Sequence, residues 1–335
     1  MKNSGTIAKA LMPFFVFLFF LPVAAKSAKP SFLTEKKVLV VMSYHATHPQ
    51  HQAIKEGIDS VLEGAEIKYF YMDTKKNLAG GDAKAKEAFD LYRKFNPDIV
   101  IAAEDNAQSL FVVPYLKDKV DTPVVFTGVN DDAAKYGYPA SNVTGMLEKK
   151  HFREGITFAK ILVPRIERMA VIYKDNPSNR LNVAQFQADT ADHSITITDY
   201  IDVNTMEELE SAIAAMGKKV DALFMMTLSG ILDENGKALE GNEIQSFVAT
   251  FSKIPTLGHS NWQIESGALC GVIKISREKG TGAAELAVKI LGGTPVKDVP
   301  ITQNRNGQRI INVTTAKRLG IALIPSVLRG SELVR

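Results

Sequence analysis

The chain has 335 residues, of which 45% are hydrophobic and 23% are charged, and its formal net charge is +3. This length exceeds one ordinary hydrophobic core, so we expect two domains, and the composition is typical of a globular protein. The small net charge is accompanied by no basic run, which argues against nucleic acid or an anionic membrane surface as a partner.

The N-terminal segment has the three parts of a secretory signal. Lys2 and Lys9 precede an apolar run over residues 10–21, and small residues follow as far as Ala25. The apolar run is too short to span a bilayer comfortably as a permanent helix. We therefore predict a signal peptide over residues 1–25, cleaved after Ala25, and a periplasmic protein; an uncleaved N-terminal anchor is the alternative.

Cys270 is the single cysteine, and it lies in an apolar sequence context. One cysteine cannot form an internal disulfide, and a chain of this length can bury enough core without one. We interpret Cys270 as a buried small hydrophobic residue. The alternative, a thiol nucleophile, has no local sequence signature to support it.

Short apolar runs alternate with amphipathic segments in the first half of the chain. Four apolar runs predict buried strands, over residues 37–42, 67–72, 98–103 and 124–127. Three segments between them have helical spacing, over residues 48–62, 83–95 and 106–116.

The same alternation restarts in the second half. Predicted strands cover residues 168–173, 195–201, 222–226 and 255–258. Predicted helices cover residues 152–162, 179–191, 206–216, 243–251, 280–291 and 313–319. Strict alternation of strand and helix indicates parallel sheets with helices on both faces, and two such runs predict two Rossmann-like α/β lobes.

Polar and aromatic residues follow the predicted strands, where ligands bind in open parallel sheets. The candidate ligand-binding residues of the first lobe are Ser43, Tyr44, Asp73, Glu104, Asp105, Asn130 and Asp131. Those of the second lobe are Ser178, Asn179, Thr227, Ser260 and Trp262. Such groups suit a small polar or zwitterionic ligand, although the same residue types also cap helices and form turns. Trp262 either stacks on the ligand or packs at the lobe junction.

Signatures of catalysis are weak. The chain contains no Gly-x-Ser-x-Gly, no Gly-x-x-x-x-Gly-Lys and no Gly-x-Gly-x-x-Gly motif. His45, His48 and His51 lie close together, but no His-Glu-x-x-His motif is present and Pro49 indicates that His48 caps a helix. We therefore expect no enzymatic activity, no metal and no cofactor.

Several stretches of the sequence carry a family resemblance. They cover residues 123–131, 142–146, 254–255, 266–269, 283–295, 311–312, 316–321 and 324–325. In these stretches the chain resembles the substrate-binding proteins of ABC transporters of the tryptophan/tyrosine type. The resemblance covers most of the chain and is most specific toward the C-terminus.

This resemblance implies a periplasmic binding protein of the first structural type. Such a protein has two Rossmann-like lobes, a multi-segment hinge made of three chain segments, and a ligand in the cleft. On this basis we place the first lobe at residues 32–147 plus 274–296. The second lobe is placed at residues 148–273 plus 297–335. The implied partners are a small-molecule ligand and an ABC permease in the inner membrane, and we expect a monomer.

The resemblance also implies roles for individual residues. Asp131 matches the family's acidic position after the fourth strand, and we expect it to face an amino group of the ligand. Ser178 and Asn179 fall where the second lobe of the family opens a helix, and we expect them to offer donors to a carboxylate. Residues 259–262 and 271–277 depart from the family pattern, so an aromatic amino acid is one candidate ligand among others.

Two other functions remain open from the residues alone. One is an exported α/β enzyme, such as a hydrolase, because folds of this class host both enzymes and binding proteins. The absence of a nucleophile motif and of a metal-ligand set favours a binding protein. The other is a ligand-sensing lobe that partners a membrane kinase, which only the partner would distinguish from a transport receptor.

Overall fold

A computed structural model of the chain describes residues 31–335. The predicted signal segment, residues 1–25, lies outside the described residues. Within residues 31–335, every helix is too short or too polar to cross a membrane.

The strands follow the predicted apolar runs closely and include several that the sequence did not indicate. In chain order they are β1 (Lys37–Met42), β2 (Glu66–Tyr71), β3 (Ile99–Ala103), β4 (Val124–Val129), β5 (Val143–Leu147), β6 (Arg168–Tyr173), β7 (Thr196–Asp202), β8 (Ala222–Met225), β9 (Thr256–Leu257), β10 (Cys270–Lys274), β11 (Thr302–Gln303), β12 (Gly307–Asn312) and β13 (Ser331–Val334).

The helices alternate with these strands. They are α1 (Pro49–Val61), α2 (Gly81–Phe95), α3 (Asp105–Ala107), α4 (Phe152–Leu162), α5 (Pro177–Thr190), α6 (Met206–Met216), α7 (Gly241–Phe251), α8 (Asn261–Glu265), α9 (Ser276–Leu291), α10 (Val313–Arg318) and α11 (Pro325–Leu328). Helix α3 continues directly as a π-helix over Gln108–Leu116. Short 3-10 helices cover Ser31–Glu35, Ala133–Tyr136 and Val296–Asp298.

The described strands form two sheets. The first has the strand order β11-β5-β4-β3-β1-β2, and its neighbouring strands are parallel. The second has the order β13-β12-β10-β9-β8-β6-β7, and its strands are parallel except for the antiparallel pair β10 and β12. The predicted class, an α/β protein with two mostly parallel sheets, is confirmed. We call each sheet with the helices packed on it the first lobe and the second lobe.

Each sheet is buried on both faces, which explains the nearly continuous apolar runs of its central strands. In the first sheet, Val100 and Phe126 belong to the core on one face, whereas Val38 and Ile101 belong to the core on the other. The second sheet is likewise covered by two separate apolar cores. Alternate residues of one strand thus contribute to different cores, as the geometry of a strand requires.

Within the described range, the chain passes between the two sheets three times. The first crossing links β5 to α4, the second links β10 to α9, and the third links β11 to β12. The first and third crossings lie side by side, because Asn304 Oδ1 accepts from Lys149 N–H at 2.7 Å and Asn304 Nδ2 donates to Lys149 O at 3.0 Å.

The third crossing lies later in the chain than the predicted change of lobe at residues 296–297. Thr302–Gln303 still belongs to the first sheet, where it pairs with Met146 and Leu147. The physical reason is that a two-residue edge strand has no apolar run of its own and is defined by its partner strand. The sequence pattern therefore could not reveal it.

Helix α9 returns to the first lobe and packs backbone to backbone on α1. A Cβ atom on Gly280 would lie 2.0 Å from the carbonyl oxygen of Ile54, and one on Gly57 would lie 2.3 Å from that of Arg277. Only glycine allows so close an approach. The contact fixes α9 on the first lobe directly after the second crossing.

Candidate ligand-binding cleft

A cleft of about 1010 Å³ lies between the lobes, at the carboxyl ends of β1, β3 and β4. The lining residues that belong to the first lobe and to the first crossing are Tyr44, Gln50, Lys75, Glu104, Asp105, Asn130, Asp131, Asp132, Lys135, Leu147, Glu148, Lys149 and Lys150. The remaining lining residues come from the second lobe and are Pro177, Ser178, Leu181, Asn182, Gln185, Ala188, Asp189 and Lys274. This position agrees with the rule that open α/β sheets bind ligands at the carboxyl ends of their strands.

Half of the predicted ligand-binding residues line this cleft. They are Tyr44, Glu104, Asp105, Asn130, Asp131 and Ser178. The first five follow β1, β3 and β4, and Ser178 is near the start of helix α5. The first-lobe side of the cleft therefore carries a group of carboxylates, among which Lys75 and Lys135 also lie.

The acidic wall is organised around Asp105. Its Oδ2 accepts from the backbone N–H of Asn130 at 3.2 Å, and its Oδ1 accepts from the hydroxyl of Tyr136 at 2.8 Å. Burial, followed by the charge of Asp105, raises the pKa of the Tyr136 phenol, which therefore remains a donor. Asp131 pairs with the exposed Lys135, and its side chain is 20% exposed.

Tyr44 forms an aromatic part of the first-lobe wall. Its ring stacks on that of His51, with centroids 4.8 Å apart, and the Nζ of Lys75 lies 5.1 Å from the ring centroid. Burial, together with the charges of Glu104 and Asp105, raises the pKa of the Tyr44 phenol. The hydroxyl thus stays protonated beside the carboxylates.

Two other predicted residues, one in each lobe, are engaged in holding the fold. The Ser43 hydroxyl donates to Ala103 O at 2.7 Å and accepts from Ala107 N–H at 2.8 Å, so it joins β1 and β3 to α3. Asn179 Nδ2 donates to Lys174 O at 2.8 Å and Thr227 O at 2.7 Å. The expectation that the Asn179 amide offers donors to a ligand conflicts with this geometry, because both amide hydrogens have partners.

The other predicted residues also lie outside the residues that line the cleft. Asp73 is 3.6 Å from His45, measured from Oδ1 to Nδ1. The backbone carbonyl of Thr227 accepts from the Asn179 side chain of α5. Ser260 Oγ lies 3.4 Å from His259 Nδ1. Trp262 is half-buried and packs at the start of α7, where a Cβ atom on Gly241 would lie 2.8 Å from its ring. This contact lies within the second lobe.

A cluster of buried charges at the floor of the cleft was not predicted. Lys279 of α9 pairs with Glu148 on the first crossing, and its Nζ lies 3.2 Å from Glu104 Oε1. Glu148 also pairs with Lys274, the last residue of β10. The side chains of Lys279 and Glu148 are each 1% exposed. Sequence offered no signal for this cluster, because a lysine within an amphipathic helix is normally exposed.

Burial changes the titration of the lysines in this region. It lowers the pKa of Lys274 to about 7, with a further contribution from the charge of Lys279. It also lowers the pKa of Lys150, which follows on the first crossing, to about 8. Both ammonium groups lie in the wall of the cleft, where an anion would stabilise their charged forms.

The histidines near Tyr44 pack ring against ring. The ring centroids of His45 and His48 are 5.4 Å apart, and those of His48 and His51 are 5.7 Å apart. Burial lowers the pKa of His51 to about 3, so its imidazole is neutral at pH 7. Over residues 31–335, no group of three or more His, Cys, Asp or Glu side chains is arranged to hold a metal ion.

Comparisons with known proteins agree with this architecture. A tyrosine-binding protein from Clostridioides difficile (strain R20291) is 25% identical over 305 residues, which cover 85% of this chain and 82% of that protein. A substrate-binding protein with adhesive properties from Clostridium difficile, in a ligand-free, open structure, has a TM-score of 0.70 and 21% identity, covering 90% of this chain and 99% of that one.

A second solved structure, an ABC domain in complex with L-Trp from Streptococcus pneumonia, has a TM-score of 0.58 and 20% identity. The similarity covers 90% of this chain and 100% of that one. At these identities, the two structures support the fold. The sequence profile of the family described as ABC transporter substrate binding protein matches residues 37–334.

The resemblance found in the sequence is therefore confirmed, and with it capture of a substrate outside the cytoplasm for an ABC transporter. Because the family profile matches nearly all of the described residues, the chain belongs to the ABC transporter substrate-binding protein family.

Proposed function

We propose that this protein binds a free L-amino acid in the cleft and delivers it to an ABC permease in the inner membrane. The observation that carries the proposal is that the cleft lining contains groups of both signs: carboxylates follow β3 and β4 of the first lobe, and the N-terminus of α5 and Lys150 of the first crossing line the same cleft. A zwitterion has one group to pair with each sign. The relatives named for tyrosine and L-Trp make aromatic amino acids the first ligands to test.

Asp131 is the proposed partner of the ligand's ammonium group. Its present partner, Lys135, has a side chain that is 61% exposed, and exposed ion pairs contribute only about 0–1 kcal/mol. An arriving ammonium can therefore displace Lys135 at little cost. Asp105 is held by Asn130 and Tyr136, and its charge adds to the attraction for a cation.

Ser178 is the proposed neutral donor on the second lobe. It is the second residue of the 14-residue helix α5. Pro177 has no N–H, and Asn176 accepts from the N–H groups of Asn179 and Arg180, so the N–H of Ser178 is the one left for a ligand in this first turn. Such a terminus favours an anionic group. The Asn179 side chain is not part of this proposal, because its amide hydrogens bond to two carbonyls.

Ligand capture is proposed to close the two lobes about the three crossings. A zwitterion held by groups on both lobes has a higher affinity for the closed arrangement, and this difference is what shifts the equilibrium. We further propose that the binding protein acts as a monomer and releases its ligand chemically unchanged.

Calorimetric titration and thermal unfolding with L-tyrosine, L-tryptophan and L-leucine test the proposal. At least one of them should bind and raise the melting temperature, because it stabilises only the folded state. Tyramine lacks the carboxylate and 3-(4-hydroxyphenyl)propionate lacks the ammonium group, so both should bind far more weakly than L-tyrosine. Binding of D-ribose or L-arabinose instead of any amino acid would contradict the proposal, and a ligand recovered in altered form would indicate an enzyme.

Export is proposed to remove residues 1–25. N-terminal sequencing of the periplasmic protein should then begin at Lys26. Light scattering on the same material should give the mass of a monomer. A periplasmic protein that retains Met1 would contradict cleavage and favour an N-terminal anchor.

A further inference from the structure

The lysines of the cleft differ in what their ammonium groups contact. Lys75 lies over the ring of Tyr44, Lys135 pairs with Asp131, and Lys274 pairs with Glu148. Lys149 is exposed, so water hydrates its ammonium group. These four lysines therefore have partners or solvent.

Lys150 is the exception. Its backbone is held on both sides by Gln185, which accepts from Lys150 N–H at 3.4 Å and donates to Lys150 O at 2.9 Å. Its side chain is partly buried in the wall of the cleft, and its ammonium group has no hydrogen-bond or ion-pair partner anywhere in the described part of the chain. A charge in such a place is costly unless it is paired.

The surroundings of Lys150 do not supply the missing partner. Glu104 is close enough to stabilise its charge, but the Glu104 carboxylate already accepts from Gln50 and Lys279. Lys279 repels it, and Glu148 is taken by Lys274 and Lys279.

His259, at the end of β9, also has an unsatisfied group. Burial, and after it the positive charge of Lys150, lowers the pKa of His259. The Nε2 of His259 is buried and has no hydrogen-bond partner among the residues described.

We infer that Lys150 binds the carboxylate of the amino-acid ligand. This inference rests on the proposed function and adds a charged group to the helix N-terminus at Ser178. A carboxylate supplies the hydrogen-bond acceptor and the countercharge that the Lys150 ammonium lacks, and charge-assisted hydrogen bonds are the stronger kind. Lys150 then sets the requirement for a carboxylate in the ligand.

Affinity for a carboxylate bound at Lys150 should depend on pH. Burial and the charge of Lys279 lower the pKa of free Lys150 to about 8, whereas Glu104 opposes the shift. Lys274, Glu148 and Asp189 line the same cleft. His259 stays neutral, because burial lowers its pKa to about 3. A bound carboxylate raises the pKa of Lys150, so binding above about pH 8 takes up a proton and affinity falls as the pH rises further.

The test is calorimetric titration of L-tyrosine, L-tryptophan and L-leucine into the unaltered protein and the variants Lys150→Gln, Lys150→Arg and Lys86→Gln. Lys150→Gln should weaken binding roughly 10- to 100-fold, which corresponds to the loss of one charged hydrogen bond. Lys86→Gln should change it by less than about twofold, because Lys86 is exposed on helix α2 and is not among the residues that line the cleft. A thermal melt of each variant checks that it is folded.

Lys150→Arg provides a readout that a purely structural role would not affect. Arginine stays protonated, so this variant should bind within about tenfold of the unaltered protein and lose the part of the pH dependence that Lys150 contributes between about pH 8 and 9. The ligand's own amino group titrates equally in both proteins and cancels in the comparison.

The outcomes separate this inference from the proposed function. If none of the three amino acids binds the unaltered protein, the proposed function is wrong and the inference is wrong with it. If one of them binds and Lys150→Gln binds it equally well, only the assignment of Lys150 is overturned. A pH dependence that is identical in Lys150→Arg and the unaltered protein would overturn it as well.

Discussion

Lys279 of helix α9 forms a buried ion pair with Glu148 on the first crossing, and both side chains are 1% exposed. Glu104 and Lys274 complete the cluster, so two positive and two negative charges balance one another. The cluster joins the end of β3, the first crossing and the end of β10 to the helix that follows the second crossing. It therefore ties two of the three crossings to the first lobe.

Lys279→Met should lower the free energy of unfolding by about 3–5 kcal/mol, because it leaves buried carboxylates short of a countercharge. Urea denaturation at pH 7 measures the change. Lys84→Met is the matched control: Lys84 forms an exposed pair with Glu87, and its loss should cost less than about 1 kcal/mol. Equal effects of the two substitutions would show that the buried cluster does not stabilise the fold.

Gly280→Ala should destabilise the protein by at least about 1–3 kcal/mol, because the new methyl group would lie 2.0 Å from Ile54 O and force α1 and α9 apart. Gly155→Ala is the control, since both glycines lie within helices. At Gly155 the nearest contact of a Cβ atom is 3.6 Å, and alanine should stabilise the helix by up to about 1 kcal/mol. Thermal unfolding of the two variants should show shifts of opposite sign.

The strands that could be predicted are those that are buried on both faces and therefore consist of a continuous apolar run. β1 and β6 have the bounds expected from apolar runs buried on both faces. Five strands were missed. β11 and β13 are short edge strands, β5 includes a threonine and a glycine, β10 includes a glycine, and β12 begins with a glycine and two polar residues. The segment predicted as a helix over residues 106–116 is helical, but most of it is a π-helix that contains Pro114, which has no N–H to donate.

The location of the candidate site could be predicted from the sequence, but which individual side chains line it could not. The rule about strand ends brought Tyr44 and Asp131 to the cleft, yet it could not tell Tyr44 from Ser43 beside it, which bonds to the backbone instead. The roles of Lys150 and Lys279 depend on contacts between residues far apart in the chain. Periodicity and local motifs contain no information on such contacts.

Acid should destabilise the protein in part through His259. Burial lowers its folded-state pKa from the ordinary value of 6.5 to about 3. Between these values the unfolded chain binds more protons, so stability falls as the pH decreases below about 6.5, by about 2 kcal/mol for this residue at pH 5. His51, with a pKa also lowered to about 3, should act in the same direction.

His259→Phe isolates this contribution, because the ring stacks on Phe224 and meets the edge of Phe152, and phenylalanine preserves these contacts. Urea denaturation of both proteins at pH 7 and pH 5 gives the comparison. The variant should lose about 2 kcal/mol less than the unaltered protein between the two pH values. An identical loss in both would show that His259 does not contribute to acid sensitivity.

Asp131→Asn should weaken binding of L-tyrosine roughly 10- to 100-fold, because the amide keeps the shape of the side chain but cannot provide a countercharge to the ammonium group. Asp132→Asn is the matched control. Asp132 also lines the cleft, but its Oδ1 accepts from Ala134 N–H at 2.9 Å and caps the 3-10 helix Ala133–Tyr136. Its substitution should leave affinity unchanged within about twofold, since asparagine is an equally good cap.

Calorimetry gives the affinities of both variants. Tyrosine methyl ester retains the ammonium group and lacks the carboxylate charge, so its affinity should respond to Asp131→Asn as that of L-tyrosine does. An equal loss in the two variants would indicate a general effect of the acidic wall, whereas no loss in Asp131→Asn would move the ammonium group to another carboxylate, with Asp105 the next to test.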